Sequence, residues 1–224
     1  MQQSTELLVV TLAHILPGKE REARIHVRTI AETLQSAVGL VSTRIYRGRD
    51  NGIAYLFLTT WEDEESWLKA QERHTPKHLL QAAQDILATT PEQWLMYYIW
   101  GWTRPTMPSQ LAAVHLITVA PQVVQTTQTS WLSGLRQPDL QSLLTFAFLA
   151  RGISDTSTSA KIAAAPRPGG FREDFKLKSS LLLSFLSWSN EVEREEFYAD
   201  TAYQNIKSMA EREGKMHTIS LEPV

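Results

Sequence analysis

The side chains best suited to chemistry in this sequence are histidines and aromatic residues, because cysteine is absent. His115 lies in an apolar run and, at strand spacing, shares a face with Ala113 and Ile117. His14 shares a face with Leu8, Val10 and Leu12 in the same way. An imidazole is the side chain best poised to abstract a proton near neutral pH. On an apolar strand it is more often a hydrogen-bonded core group than a base, and both readings stand for His14 and His115. His74 and His78 have the four-residue spacing of a helical metal pair, but Pro76 between them spoils the common face. No metal site is expected, and His78 stays a candidate for proton transfer. Trp94, Met96, Tyr98, Trp100 and Trp102 alternate along one strand face, either as a buried seam or as an aromatic wall for a flat ligand. Arg44 and Tyr46 share a face and could steady a phenolate. Trp61 and Trp188 each stand where a strand meets an acidic helix start, the place of a wedge closing a sheet–helix corner.

Other chemistries lose their support. Without cysteine there is no disulfide, thiolate metal site or thiol nucleophile. A net charge of -2 offers no basic surface for nucleic acid. No phosphate-binding loop, dinucleotide fingerprint, zincin motif or nucleophile elbow occurs, so nucleotide cofactors and serine hydrolysis lose most of their support. No apolar run reaches the length of a membrane span, and the first residues lack a secretory pattern. A soluble, cytoplasmic protein without a membrane partner is the expectation.

These candidates must be positioned by regular elements. Leu7 to Ile15 reads as a strand, followed by a Pro17-Gly18 turn. Ala23, Val27, Ile30 and Leu34 mark one face of a helix that Gly39 terminates. Leu40 to Arg47 and Ile53 to Trp61 are strands joined by a Gly48 to Gly52 hairpin. Acidic Glu62 to Glu65 opens a helix bearing Trp67, Ala70 and His74, which Pro76 interrupts before helical spacing resumes over Leu79 to Leu87. Gln93 to Trp102 is the fourth strand. The order is β-α-β-β-α-β, the split pattern of ferredoxin-like folds.

After a Pro-containing linker the pattern restarts. Strands are expected over Ala112 to Val119, Leu140 to Arg151, Ser180 to Trp188 and Lys215 to Leu221, with helices over Val123 to Leu135 and Glu191 to Glu213. Pro17 corresponds to Pro121 and Trp61 to Trp188, and the second pair is further apart. The excess falls in a long loop over 152–178, rich in Ser, Thr, Ala, Pro and Gly. The expected organisation is a first unit over 1–103, a linker over 104–111 and a diverged second unit over 112–224. A ferredoxin-like sheet has helices on one face only, so its other apolar face needs a cover. Two units in one chain meet that need by packing sheet to sheet. The fold class is therefore α+β, two tandem ferredoxin-like units forming a pseudo-dimeric α/β-barrel within one chain.

The first half, from Leu7 to Trp102, resembles the antibiotic biosynthesis monooxygenase family of dimeric α/β-barrels. The resemblance rests on Val9-Val10-Thr11-Leu12 leading to Pro17-Gly18-Lys19-Glu20, on Thr60 to Ser66 and on Pro76-Lys77-His78-Leu79-Leu80. It implies a pocket between each sheet and its own helices. Some members oxidise phenolic polyketides with molecular oxygen and no cofactor. Others bind and break down haem, using an Asn on the first strand and a Trp and a His on the helix after the third. Thr11 falls at the Asn position, with His115 there in the second half. Ala70 falls near the Trp position, and His78 lies near the His position. Two of the three positions thus depart from the haem-degrading pattern.

The functional expectation is a cofactor-independent monooxygenase acting on a small phenolic or quinol-like aromatic compound. The alternatives are a non-enzymatic binder of a small hydrophobic or haem-like ligand, and a structural interaction protein. The working pocket is expected in the first half, bounded by Thr11, Tyr55, Phe57, Trp61, His78 and Tyr98, with Arg44 as a further ligand contact and His115, His14 and His78 as candidate bases.

Overall fold

The computed structural model describes residues 6–50, 53–70, 74–81, 83–105, 107–154 and 178–224. The tip of the expected Gly48 to Gly52 hairpin and most of the expected 152–178 loop lie outside the described residues. The chain divides by compactness into two units. The first runs to Tyr97 and includes Ile153, Ser154, Lys178 and Val224; the second holds Tyr98–Gly152 and Ser179–Pro223.

In the first unit β1 (Leu7–His14) leads through the Pro17-Gly18 turn to α1 (Glu20–Leu34). The buried residues of α1 are Ala23, Val27, Ile30 and Leu34, the face its spacing marks out. Gly39 then takes φ +81°, a left-handed conformation that glycine adopts at no steric cost. A Cβ there would lie 2.4 Å from that of Ser66. β2 (Leu40–Gly48) and β3 (Ala54–Trp61) follow, then α2 (Glu64–Ala70), α3 (Pro76–Gln81) and β4 (Glu92–Thr103). Pro76 is the first residue of α3, where its missing N–H costs nothing. The helical spacing after it does not persist to Leu87: α3 stops at Gln81, and a single 3-10 turn covers Gln84–Ile86. β1 pairs antiparallel with both β3 and β4, and β2 with β3, giving the order β4-β1-β3-β2.

Leu7, Val9, Thr11 and Ala13 of β1 share a face with Tyr55, Phe57, Thr59 and Trp61 of β3 and with Gln93, Leu95 and Tyr97 of β4. The apolar members of this face pack against α1, α2 and α3 in two separate clusters. Leu8, Val10, Leu12, Leu56, Leu58 and Met96, on the opposite face, are buried as well. Burial on both faces is what a near-continuous apolar run requires.

In the second unit β5 (Leu111–Val119), α4 (Val124–Leu135), β6 (Phe146–Gly152), β7 (Leu181–Trp188) and β8 (Gly214–Pro223) repeat the order, as β8-β5-β7-β6. Two expectations need correction. Pro138–Leu143 is a helix, α5, not the start of a strand. Pro138 sits at its first turn with acidic Asp139 behind it, and Leu140 is fully buried. Glu191 to Glu213 is not one helix but two, α6 (Glu191–Ala199) and α7 (Thr201–Glu213). Asp200 stands between them in extended conformation, and its carboxylate accepts the Ala202 N–H at 2.7 Å. That cap supplies a first-turn donor with the acceptor it lacks within the helix.

The Pro-containing connection from β4 to β5 is tied to this unit at both ends. The Arg104 N–H donates to the Thr145 carbonyl and that of Gln110 to the Trp188 carbonyl. Ser109, Thr145 and Ser187 close a triangle of hydroxyls with sides of 2.8, 3.0 and 2.9 Å. Among the described residues no helix is long and apolar enough to cross a membrane.

Candidate functional site

Between the two apolar clusters of the first unit runs a polar seam. Thr11 Oγ1 donates to Gln93 Oε1 at 3.4 Å, Thr59 Oγ1 to the Val9 carbonyl, and Trp61 Nε1 to Thr59 Oγ1 at 3.1 Å. Thr75 and Lys77 are also buried. Thr11, Tyr55, Phe57 and Trp61 therefore share the helix-facing side, as expected. Tyr55 and Trp61 are nevertheless six residues apart on one strand, about 20 Å, too far to bound one small pocket. Each is packed into its own cluster. Trp61 is fully buried, as a corner wedge must be. His78 is partly buried on α3, and its N–H donates to Thr75 Oγ1.

Three expected site residues are placed elsewhere, and strand alternation explains each. Tyr98 is one position out of phase with the helix-facing Tyr97; it lies in the second unit, edge-to-face with Phe148 at 5.3 Å. The phenol turned toward the helices is that of Tyr97, which donates to Glu64 Oε1. Arg44 pairs with Leu58 on the opposite face, where it contacts Tyr46; Arg47 is the arginine on the helix side, hydrogen-bonded to Tyr55. His14 also lies on the opposite face from Thr11. The three candidate histidines are not brought together.

The second unit holds the more elaborate constellation. His115 is fully buried, opposite Ser184 on β7 and Thr218 on β8. Its Nε2 lies 3.0 Å from the Tyr203 hydroxyl. Trp131 of α4, Tyr198 of α6 and Tyr203 of α7 surround the imidazole, with centroids at 5.8, 6.0 and 6.0 Å; the Tyr198 ring stacks on it at 16°. Burial disfavours the charged form and lowers the His115 pKa to about 4, so the imidazole is neutral at pH 7. The same desolvation raises the phenols of Tyr198 and Tyr203. Ser184 Oγ, Trp131 Nε1, Gln128 Oε1 and Trp188 Nε1 are buried without a hydrogen-bond partner among the described residues. Buried polar atoms are normally paired, so such a group marks a place for water or ligand. Sequence reading found His115 but missed Tyr203, Trp131, Tyr198 and Ser184. The signal was present for Tyr203: with Ile206 and Ala210 it forms a three-and-four-spaced buried stripe.

Residues 7–84 match the family model for antibiotic biosynthesis monooxygenase. The first unit carries an antibiotic biosynthesis monooxygenase domain. The β1–α1–β2–β3 core of that monooxygenase-family domain, with α2 and α3, fills the matched span. No curated protein sequence matches the chain. Among solved structures, a Fusobacterium nucleatum protein given the provisional name of monooxygenase aligns with a TM-score of 0.70 at 7% identity, covering 100% of this chain and 94% of its own. An anthrone oxidase-like protein aligns with a TM-score of 0.69 at 13% identity, covering 98% and 92%. A Lactobacillus acidophilus protein, also provisionally a monooxygenase, aligns with a TM-score of 0.64 at 7% identity, covering 98% and 94%. At these identities the likeness shows the fold. It extends over the full chain, an α+β protein whose two units each carry a four-stranded antiparallel sheet with helices.

Proposed function

We propose that this protein is a monooxygenase that oxidises a small phenolic or quinol-like aromatic compound with molecular oxygen and without a cofactor. The observation that carries the reading is the buried His115–Tyr203 pair, walled by aromatic rings and bordered by polar atoms that lack partners among the described residues. The monooxygenase-family domain and the likeness in fold to an anthrone oxidase-like protein support it.

The chemistry asks little of the protein. A phenol gives its proton toward His115 Nε2 through the Tyr203 hydroxyl, and the phenolate becomes electron-rich enough to pass one electron to oxygen. The resulting radical and superoxide combine at a ring carbon bearing hydrogen, forming a hydroperoxide after the proton returns. Loss of water from the hydroperoxide leaves a carbonyl, so one oxygen atom enters the product and the other leaves as water. The neutral imidazole is already in its base form at pH 7. The imidazolium formed on proton transfer is stabilised by the phenolate beside it, an attraction that a low-dielectric site strengthens. Trp131 and Tyr198 wall the imidazole and keep water from it.

The test is oxygen uptake by metal-free protein with a panel of phenols, hydroquinones and anthrones. At least one compound should be consumed, and His115→Gln should slow it by roughly 10²–10⁴-fold, the usual worth of a positioned base. Absence of uptake with every compound, or an unchanged rate in the variant, refutes the proposal.

A further inference from the structure

We infer that the first unit carries a second binding site, a groove between α1 and β2 that takes a small carboxylate with an extended apolar tail. The groove has a volume of about 660 Å³, within the range of small-molecule sites. One wall is the α1 stripe Arg24, Arg28, Ala31 and Gln35, which flanks the buried face of that helix. Its spacing of four, three and four residues places these side chains in a row. The row covers about 16 Å of helix, the reach of a medium-length acyl chain.

The chemistry changes along the row. Arg24 is exposed and makes no ion pair among the described residues. Among the described residues Arg28 pairs only with Glu32, and both side chains are more than 60% exposed, so that pair holds the guanidinium weakly. These two arginines give the groove a cationic end. Ala31 contributes only a methyl group, which keeps the middle of the groove open. Val27 and Ile45 form an apolar floor, and Val41, half exposed, extends it outward. Thr43 Oγ1 lies in the same lining, buried and without a hydrogen-bond partner among the described residues. A guanidinium end, an apolar floor and an unsatisfied hydroxyl together match an amphipathic acid: carboxylate on Arg24 and Arg28, tail over Ala31 and Ile45. This site is independent of the His115 pair, which lies in the other unit.

The probe is 11-(dansylamino)undecanoate, titrated against the full chain and followed by dansyl emission, with decanoate and decanol as competitors. Saturable binding is expected, with decanoate displacing the probe at least about tenfold better than decanol, since a charge-assisted contact is worth that much. Arg24→Glu should weaken binding about tenfold or more. Ala31→Phe, which fills the groove without touching charge, should do likewise. Arg21→Glu, an equal charge change elsewhere on the exposed surface of α1, should leave binding unchanged. Arg24 is exposed and Ala31 only half-buried, so both variants should keep the wild-type circular dichroism spectrum. No saturable binding, equal displacement by decanol, or unchanged affinity in Arg24→Glu overturns the proposal. An effect of Arg21→Glu as large as that of Arg24→Glu also overturns it, because it would reveal a general charge effect.

Discussion

The burial of His115 makes a prediction about stability in acid. Folded, this imidazole has a pKa of about 4; in the unfolded chain it returns to 6.5. Between those values the unfolded chain binds a proton and the folded chain does not, so acid pulls the equilibrium toward unfolding. The stability held by the neutral imidazole is complete above pH 6.5 and is lost as the pH falls toward 4. At 1.36 kcal/mol per pH unit the window is worth about 3 kcal/mol, a large share of the ~5–15 kcal/mol that holds a typical domain together. The perturbation is His115→Gln, which keeps a polar group near Tyr203 but does not titrate. Urea unfolding at pH 7.5 and at pH 4.5 gives the stability of each protein at each pH. The wild type should lose about 2–3 kcal/mol more than the variant between the two, the rest of the loss lying below pH 4.5. Carboxylates titrate in both proteins and cancel in the comparison. Parallel losses in the two proteins would show that His115 is not held neutral in the fold, and the account of its burial would fail.

Two further tests concern packing. Trp61→Ala removes a fully buried side chain and its bond to Thr59, and should cost about 3–5 kcal/mol in chemical denaturation; a loss below about 1 kcal/mol would exclude the wedge role. Gly134→Ala should destabilise by about 1–3 kcal/mol although alanine favours helix, because its Cβ would meet Ile206 Cγ2 at 2.6 Å; a gain in melting temperature would show that α4 and α7 can part freely there.

The fold was largely legible because its patterns are local. The four apolar positions of α1 and the continuous run of β1 each admit one reading, and both are realised. Legibility failed where a short apolar cluster carried two meanings. Leu140, Leu143 and Leu144 suit a strand as well as a helix, and Pro138 decided for the helix by fitting its first turn. Asp200 interrupts a helical pattern without a glycine or proline, and its capping role depends on a backbone conformation that residue type alone leaves open. The candidate site was harder, because phase matters there as much as identity. A shift of one residue exchanges Tyr97 for Tyr98, and the faces of Arg44 and Arg47 are told apart only by the register of β2 on β3. His115 was visible as a residue, but its partner Tyr203 lies 88 positions away, and nothing local links them.

The hydroxyl triangle of Ser109, Thr145 and Ser187 bears on how the chain moves. A Pro-containing connection between two strands invites the picture of a hinge, a tether swinging on picosecond to nanosecond fluctuations. Here its first and last amides are bonded to the β6 entry and the β7 end, and its serine is locked into a ring of three hydroxyls, each bonded to the other two. Releasing Ser109 breaks two of those bonds at once, so its excursions belong to the slower regime of local unfolding. Kinetically the connector is part of the second unit's frame.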